Sequence, residues 1–513
     1  MITRYPCTGC TPRLLRASLL VILAGCAGPG PKLFPVTASS ATPRPEGGQD
    51  LLFDTDSDGR DDYVERQGSD GLVALLGYDE DGDGQFERKV PAPARLRDPV
   101  PHVVIVLDSI PFDLVRGAWE RGRFRAFHPP SRVISPFPVM TDISLTAFFG
   151  VAPSLAVESQ FYDGTRLNTG YGTYARETIS HWHAAVDYHL AYASHSAVYF
   201  RPNEWFGHEL RRVQQRLAGD TGDLFLAYLV GTSAIGAQLG HDGHLAALAR
   251  LDRFCRWLIH RRQGRVHITL MSDHGHNNVR SRRIDLPEGL RRAGYHVTKR
   301  LKRPGDVVVP GFGIVTYAGI HTAEPHAVAA DVVGLEGIHL AAYCDGSDEV
   351  VVLSRDGQAR ISRQGDAYRY LPERGDPLEL RPVLAGLTGS GKVDPDGFVA
   401  DQMLFDATAD HPLPDAVHRL WRAFHGQTVH TPDVLLSVED GYYCGSGLMS
   451  ELIDLRSAHG SLNRISSSGF IMSTAGRVDP VIRMEDLREA LTRLAVPFDP
   501  PERSWSGGLR DRR

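Results

Sequence analysis

Residues 102–109 read HVVIVLDS, a run of apolar side chains that ends in an aspartate and a serine. An unbroken apolar run of this length favours a strand that is buried on both faces, as the strands of parallel sheets are. Residues 224–230 (LFLAYLV) and 266–271 (VHITLM) have the same character, and residues 433–438 (DVLLSV) form a similar run late in the chain. The sequence therefore predicts a buried sheet whose strands come from distant parts of the chain.

A helical pattern lies between the second and third of these runs. Leu248, Leu251, Cys255 and Leu258 recur at spacings of three and four residues, and Gly264 is placed to end the helix. The order strand, helix, strand indicates a βαβ unit. We predict an α/β fold with a mostly parallel central sheet flanked by helices, a small Asp-rich N-terminal hairpin module and an inserted cap region.

Composition and charge limit the function classes. The 513-residue chain is 42% hydrophobic and 23% charged, which is ordinary for a globular protein and excludes wholesale disorder. No run of about 20 apolar residues is present, so we predict no membrane-spanning helix. The net charge of −6 argues against binding along a nucleic-acid backbone. No nucleic-acid motif stands out.

The first 26 residues have the features of a targeting signal. Three arginines precede a short apolar segment at residues 19–24 (LLVILA), and the next small residue leads to Cys26. This order resembles a bacterial lipoprotein signal, in which the cysteine is acylated and becomes the new N-terminus. The alternative is an ordinary secretion signal with an incidental cysteine. We expect attachment to the membrane through a lipid at Cys26, at the bacterial cell envelope, facing the periplasm or the surface.

Two acidic loops, 25 residues apart, follow a Gly- and Pro-rich segment. Alternating aspartates followed by glycine can wrap oxygen ligands around calcium. The residues between the loops favour a hairpin over the helix pair of an EF-hand. The alternative is a pair of solvated acidic turns without an ion. The predicted calcium ligands are Asp54, Asp56, Asp58, Asp62 and Glu65 in the first loop and Asp79, Asp81, Asp83 and Glu87 in the second.

Chemistry-bearing side chains follow two of the predicted strands. Asp108 comes directly after the first apolar run, and Asp273 and His274 come just after the third. Ligands of parallel sheets bind beyond the carboxyl ends of the strands. Carboxylate and imidazole donors without cysteine suit zinc or manganese. For Asp273 and His274 alone, the alternative is a helix N-cap followed by a surface histidine.

Four pieces of sequence together resemble the alkaline-phosphatase superfamily, in its type I phosphodiesterase/nucleotide pyrophosphatase branch. The resemblance spans roughly residues 98 to 480. The pieces that carry it are HVVIVLDS at 102–109, PFPVMTDISLT at 136–146, MSDHG at 271–275 and AHGSLN at 458–463.

The resemblance implies a metal-dependent hydrolase of phosphoric esters, most readily a phosphodiesterase, that acts on a small phosphorylated substrate. It assigns Thr141 as the nucleophile, which is activated by a metal and forms a phospho-threonine intermediate. Asp108, Thr141, Asp273 and His274 would hold one zinc or manganese ion. His459 would belong to a second ion.

The chain departs from the family at that second ion. The family places an aspartate, and a histidine four residues later, after the second strand, but this chain has Ser233 and Ala237 there. His241 and His244, which we predict in a loop entering the helix, are candidate substitutes. Three outcomes stay open: a shifted site, an enzyme with one metal ion, or loss of phosphotransfer. The last would make the protein a non-catalytic binding or scaffold lipoprotein.

The predicted organisation has seven segments. They are a signal peptide at 1–25, a flexible tether at 26–50, the Asp-rich repeats at 51–92, the first part of the α/β core at 93–334, an insertion or cap at 335–430, the last part of the core at 431–496 and a tail at 497–513.

Overall fold

The computed structural model describes residues 30–96, 99–169, 180–219, 222–311, 313–445, 447 and 453–498. The predicted signal peptide, Cys26 and nearly all of the predicted tail lie outside these residues. The strands, in chain order, are β1 (Ser40–Pro43), β2 (Gln49–Phe53), β3 (Tyr63–Gln67), β4 (Val73–Tyr78), β5 (Arg88–Pro91), β6 (His102–Leu107), β7 (Ser131–Ile134), β8 (Phe161–Tyr162), β9 (Leu167–Asn168), β10 (Leu224–Leu229), β11 (His267–Ser272), β12 (Arg282–Arg283), β13 (His296–Val297), β14 (Asp306–Val308), β15 (Ile314–Val315), β16 (Tyr317–Thr322), β17 (Ile338–Cys344), β18 (Glu349–Ser354), β19 (Gly357–Gln364), β20 (Ala367–Arg374), β21 (Val399–Ala400), β22 (Val434–Val438), β23 (Tyr442–Gly445), β24 (Ser468–Ser473) and β25 (Val481–Arg483).

The helices, numbered in the same way, are α1 (Phe112–Glu120), α2 (Thr141–Phe149), α3 (Tyr192–Val198), α4 (Pro202–Gly219), α5 (Gly231–Arg261), α6 (Leu286–Arg292), α7 (Pro325–Val332), α8 (Arg381–Gly389), α9 (Asp401–Thr408), α10 (Ala416–Phe424), α11 (Arg464–Ser467) and α12 (Leu487–Arg493). Among the described residues, none of the helices combines the length and the hydropathy that crossing a bilayer requires.

The central sheet has six strands in the order β10-β6-β11-β24-β7-β25. Strand β6 lies between β10 and β11 and pairs with both in parallel, so that Leu107 lies opposite Leu229 on one side and Ser272 on the other. All six residues of β6 are buried, as the unbroken apolar run predicts. The predicted α/β class and the predicted βαβ unit are confirmed. Beyond β11 the sheet becomes mixed, because β24 pairs antiparallel with both β11 and β7.

The apolar run at 433–438 does not join this sheet, although its sequence resembles the parallel strands. It forms β22 in a second sheet of nine strands, in the order β13-β14-β16-β22-β17-β18-β19-β20-β21, where it pairs antiparallel with β16 and β17. Leu435 packs into one hydrophobic cluster and Leu436 into another. An apolar run reports only that both faces of a strand are buried, which is true in either sheet. The range predicted as a cap, 335–430, supplies β17 to β21 of this second sheet.

The N-terminal module is a five-stranded antiparallel sheet, β1 to β5 in order. The predicted hairpin between the two acidic loops is the pair β3 and β4. The prediction of a flexible tether at 26–50 is wrong for its described part, because β1 pairs with β2 and Phe34 is only 2% exposed. The Phe34 ring packs on Phe53 and under the guanidinium of Arg256 from α5. No local pattern indicates this contact, because a single phenylalanine in a Gly- and Pro-rich segment has no periodicity.

An ionic cluster joins α9 and α10 to the segment that follows β25. His418 lies 3.4 Å from Asp401 through Nδ1 and 2.9 Å from Glu485 through Nε2. Arg483 pairs with Asp401 and Asp415 in the same cluster. Burial by itself would lower the pKa of His418, but the hydrogen bonds to Asp401 and Glu485 outweigh it and raise that pKa to about 9.

We expect His418→Gln to destabilise the protein at pH 6, with a loss of order 3 kcal/mol for a pKa raised from 6.5 to about 9. Because the folded-state pKa is the higher one, this stabilisation is fully present below about pH 6.5 and is lost as the pH rises through 9. Urea unfolding of both proteins at pH 6 and pH 10 measures the difference. His296→Gln, at a half-exposed histidine, is the control. An unchanged difference at the two pH values would contradict this assignment.

Candidate active site

The ends of three neighbouring strands bring polar side chains together. The hydroxyl of Tyr228, in β10, donates a 2.7 Å hydrogen bond to Oδ2 of Asp108, which follows β6. The backbone N–H of Ser109 donates to Oδ1 of Asp273, which follows β11, at 3.0 Å. Ser109 has a positive φ of 67°, a strained conformation that a functional turn often contains. The parallel register of β6 with its neighbours therefore fixes the distance between the two carboxylates.

Thr141 reaches the same point from the start of α2. Its Oγ1 lies 3.4 Å from Nε2 of His274. Nδ1 of His274 lies 3.1 Å from the carbonyl oxygen of Gly275, so it carries the proton and donates to that oxygen. The lone pair on Nε2 therefore faces the threonine hydroxyl and the carboxylates.

Three of these side chains fit a divalent metal ion. Ligand atoms of Asp108, Asp273 and His274 all lie within 4.8 Å of one another, and all three residues are buried. Oδ2 of Asp273 is buried without a hydrogen-bond partner in the described structure. Burial raises the pKa of both carboxyl groups to about 7, and for Asp108 the charge of Asp273 adds to the effect. Two crowded carboxylates and an imidazole lone pair are the donor set that a cation of the zinc or manganese type takes.

His459 lies beside this group, on the loop that precedes α11. Its ring stacks on that of His274, with the centroids 4.1 Å apart. Its Nδ1 lies 2.9 Å from the carbonyl oxygen of Val139. The five residues predicted for the site thus meet at one edge of the central sheet, while their roles remain predictions.

A cavity of about 170 Å³ opens above these residues. Thr141, Asp108 and His459 contribute to its polar floor. Aromatic side chains form much of its wall, namely Trp182, Tyr192, Tyr199 and Tyr228. The arrangement offers a hydroxyl nucleophile and a cation site at the base of a pocket that can hold a small ester.

Comparison with known proteins agrees with this geometry. The profile of the family described as type I phosphodiesterase/nucleotide pyrophosphatase matches residues 154–461. The chain belongs to this family. The match confirms the expectation of a hydrolase that acts on phosphoric esters. The matched range includes Asp273, His274 and His459, and it begins after Asp108 and Thr141. No curated protein matches the chain significantly in sequence.

Solved structures resemble the chain only distantly. Human ectonucleotide pyrophosphatase/phosphodiesterase 5 is 11% identical, with 78% of this chain and 96% of that chain covered and a TM-score of 0.42. The murine protein of the same name is 12% identical over the same shares, with a TM-score of 0.38. Phosphonoacetate hydrolase from Sinorhizobium meliloti 1021 in complex with phosphonoacetate is 11% identical, with 82% and 99% covered and a TM-score of 0.40. Likenesses this weak carry no argument about activity or substrate.

Two positions stand where the family resemblance predicts ligands of a second metal ion. Ser233 and Ala237 both line the cavity, from the first two turns of α5. The hydroxyl of Ser233 lies 3.4 Å from that of Ser109, and the methyl group of Ala237 offers no donor. The helix is held at its start by the buried carboxylate of Glu209, which accepts hydrogen bonds from the N–H groups of residues 230 and 231.

The two candidate substitutes have different fates. The prediction that they lie in a loop is wrong, because α5 runs from Gly231 to Arg261 with a kink at Gly240. His241 is 55% exposed at its side chain and lies beside Asp242, away from the cavity. His244 is fully buried, and its Nε2 donates to the carbonyl oxygen of Thr232 at 3.1 Å.

The acidic loops keep most of their predicted residues together. Ligand atoms of Asp79, Asp81, Asp83 and Glu87 lie within 4.8 Å of one another, as do those of Asp54, Asp56 and Asp58. Glu65 does not join them, because it lies in β3 and both of its oxygens accept hydrogen bonds from Arg256 of α5. Asp62 accepts hydrogen bonds from the backbone and side chain of Thr55. Glu65 thus pairs with an arginine of α5 outside the acidic loops.

Sequence reasoning missed two residues of this site. One of them is Asp142, whose Oδ1 accepts hydrogen bonds from the side chains of Ser180, Trp182 and Tyr192 at 2.6, 2.7 and 3.1 Å. His276 lines the cavity and is 1% exposed. The partners of Asp142 lie 38 to 50 residues away in the chain, so no local pattern could reveal them, whereas His276 is visible as the last residue of the run Asp-His-Gly-His.

We expect Asp142→Ala to lower the free energy of unfolding by about 3 kcal/mol, because it leaves three donors around a buried tryptophan without their acceptor. Asp142→Asn keeps a neutral acceptor and should cost less. Urea unfolding followed by tryptophan fluorescence measures both. Asp113→Ala, at an exposed carboxylate of α1, is the control. An equal loss of stability in Asp113→Ala and Asp142→Ala would contradict the role of Asp142 as the shared acceptor.

Proposed function

We propose that the protein is a metal-dependent phosphodiesterase with Thr141 as its nucleophile. The observation that carries this proposal is the meeting of the Thr141 hydroxyl with His274 and two buried carboxylates at the floor of the cavity. Membership of the family supplies the reaction class. The substrate class we propose is a small phosphoric diester that the cavity and its aromatic wall can enclose.

The reaction would proceed in two displacements. In the first, Oγ1 of Thr141 attacks phosphorus, a phospho-threonine forms, and the bond to the leaving oxygen breaks. The Thr141 hydroxyl gives up its proton to solvent water, and the leaving oxygen takes up a proton from water to become an alcohol. In the second, water attacks the phospho-threonine, which releases a phosphoric monoester and restores the Thr141 hydroxyl.

The chain's own residues prepare the first displacement. Position 141 is the first residue of α2, and a helix N-terminus favours negative charge on a bound phosphoryl group. Tyr228 and Ser109 orient Asp108 and Asp273 through hydrogen bonds. A zinc or manganese ion held by Asp108, Asp273 and His274 would lower the pKa of the Thr141 hydroxyl and offset phosphoryl charge. Without the ion, the buried carboxylates would repel an anionic ester.

We expect Thr141→Ala to reduce hydrolysis of bis(p-nitrophenyl) phosphate by roughly a thousandfold or more, because the variant lacks the attacking oxygen. The assay uses the purified protein with added Zn²⁺ or Mn²⁺, and release of p-nitrophenol measures the rate.

Thr146→Ala is the matched control for this variant. Thr146 lies on the same helix and shares a hydrogen bond with Ser154. It should keep most of the activity. Equal rates for the wild type and Thr141→Ala would contradict the assignment of Thr141 as the nucleophile. Absence of turnover in the wild type with several diesters would favour the alternative of a binding or scaffold protein with this fold.

We expect Zn²⁺ or Mn²⁺ to raise the melting temperature of metal-stripped protein, since an ion at 100 times its Kd stabilises the folded state by about 2.7 kcal/mol. Asp273→Asn should reduce this shift strongly, because it removes a charged ligand from the site. Differential scanning fluorimetry with and without a chelator measures the shift, and Asp113→Asn serves as the control. A shift that Asp273→Asn leaves intact would show that the ion binds elsewhere.

Location and calcium belong to the same proposal. We propose that a lipid at Cys26 holds the protein at the bacterial cell envelope, where an external phosphoric ester would reach the cavity. We also propose that the acidic loops at 54–58 and 79–87 take up calcium, which their clustered carboxylates support. Both rest on sequence patterns described above.

A further inference from the structure

The family's second metal position lacks two side chains here, yet three imidazoles lie next to it. They belong to His244, His276 and His459. His244 and His276 are at most 1% exposed, and His276 and His459 line the cavity. The ring centroids of His276 and His459 are 5.2 Å apart, and those of His276 and His244 are 5.7 Å apart. An ion about 2.1 Å from two imidazole nitrogens holds the two ring centroids about 5 Å apart. Each of these two neighbouring pairs therefore has the spacing of histidines that share one ion.

The hydrogen bonds of these rings also have the pattern of ligands. His459 donates through Nδ1 to the carbonyl oxygen of Val139, and His244 donates through Nε2 to that of Thr232. In each ring the other nitrogen keeps its lone pair, which is how a protein orients a metal-binding histidine. Nδ1 of His244 and Nδ1 of His276 are buried without a hydrogen-bond partner in the described structure. A buried, unsatisfied polar atom is costly and calls for a ligand.

The place of these rings explains how they can replace the missing side chains. Gly236 lies between Ser233 and Ala237 on α5. A Cβ atom at this position would lie 2.3 Å from Nε2 of His244 and 2.7 Å from Nδ1 of His276. The glycine therefore leaves room for two imidazoles against the helix turn that would otherwise carry the aspartate and the histidine.

We propose that His244, His276 and His459 form a second metal site, made of three imidazoles, that replaces the degraded position at Ser233 and Ala237. The rings of His276 and His459 are stacked and that of His244 is tilted against His276, so binding an ion requires the rings to turn about their side-chain torsions. No hydrogen bond to Nδ1 holds His276 against such a turn. Since the His459 ring stacks on that of His274, the new site lies beside the first one.

Only the role of this second ion in the reaction rests on the proposed function. There, an ion beside Thr141 would serve the step in which water attacks the phospho-threonine. The binding of the ion itself can be tested without any turnover.

The test counts zinc ions on purified full-length protein that has been stripped with a chelator and reloaded, by isothermal titration calorimetry and elemental analysis. We expect two ions on the wild type, one on His276→Gln and one on Asp273→Asn. His241→Gln, at the exposed neighbour, should keep two. Two ions on His276→Gln, or one on the wild type, would overturn the proposal.

A second measurement covers the case in which His276→Gln does not fold. The zinc that remains on Asp273→Asn should show an X-ray absorption spectrum dominated by imidazole scattering, and one dominated by carboxylate oxygen would overturn the proposal. Assays of bis(p-nitrophenyl) phosphate separate this proposal from the proposed function. Thr141-dependent turnover in a protein that binds a single ion would contradict only the three-histidine site. Two bound ions without turnover would contradict only the proposed hydrolase function.

Discussion

Two buried carboxylates at the ends of neighbouring strands constrain the structure around them. Asp108 and Asp273 follow strands that pair in parallel and in register, so the backbone holds them together whatever their charges do. Water does not screen them there, and their pKa values rise to about 7 for that reason. A fold that keeps such a pair has to place positive charge or a proton between them. The lone pair of His274 and the unpartnered oxygen of Asp273 would suit the metal ion of the proposed function.

The same constraint organises the second layer of the site. Tyr228 and Ser109 fix the two carboxylates, and Glu209 fixes the start of α5 through two backbone N–H groups. Burial raises the pKa of Glu209 to about 8. The two hydrogen bonds of Glu209 hold the helix start, whose first turns carry Ser233 and Ala237 where the family resemblance predicts metal-binding side chains. The helix turn at Gly236 has no side chain, so it leaves room for other metal-binding side chains.

Sequence reasoning succeeded where the signal is local. The strand at 102–107, the helix pattern ending before Gly264 and the residues at strand ends all depend on neighbours in the chain, and the structure brings Asp108, Thr141, Asp273, His274 and His459 together. It failed where the cause is distant. Neither the antiparallel pairing of β22 nor the burial of Phe34 leaves a trace in local spacing. Glu65 matched a calcium-binding spacing but is held by Arg256, 191 residues away.

The ion pair of Glu65 and Arg256 connects the N-terminal sheet to the helix that lines the cavity. Arg256 lies on α5, the helix whose first turns line the cavity, and its guanidinium packs on Phe34 and Phe53 of the N-terminal segment. Burial alone would lower the pKa of Arg256, but the charge of Glu65 keeps it raised. Breaking one partner of a buried pair leaves a charge without compensation and costs more than the pair contributes. The N-terminal sheet is thus packed against the same helix that lines the cavity, so the described residues nearest the predicted anchor are part of the folded structure rather than a spacer in front of it.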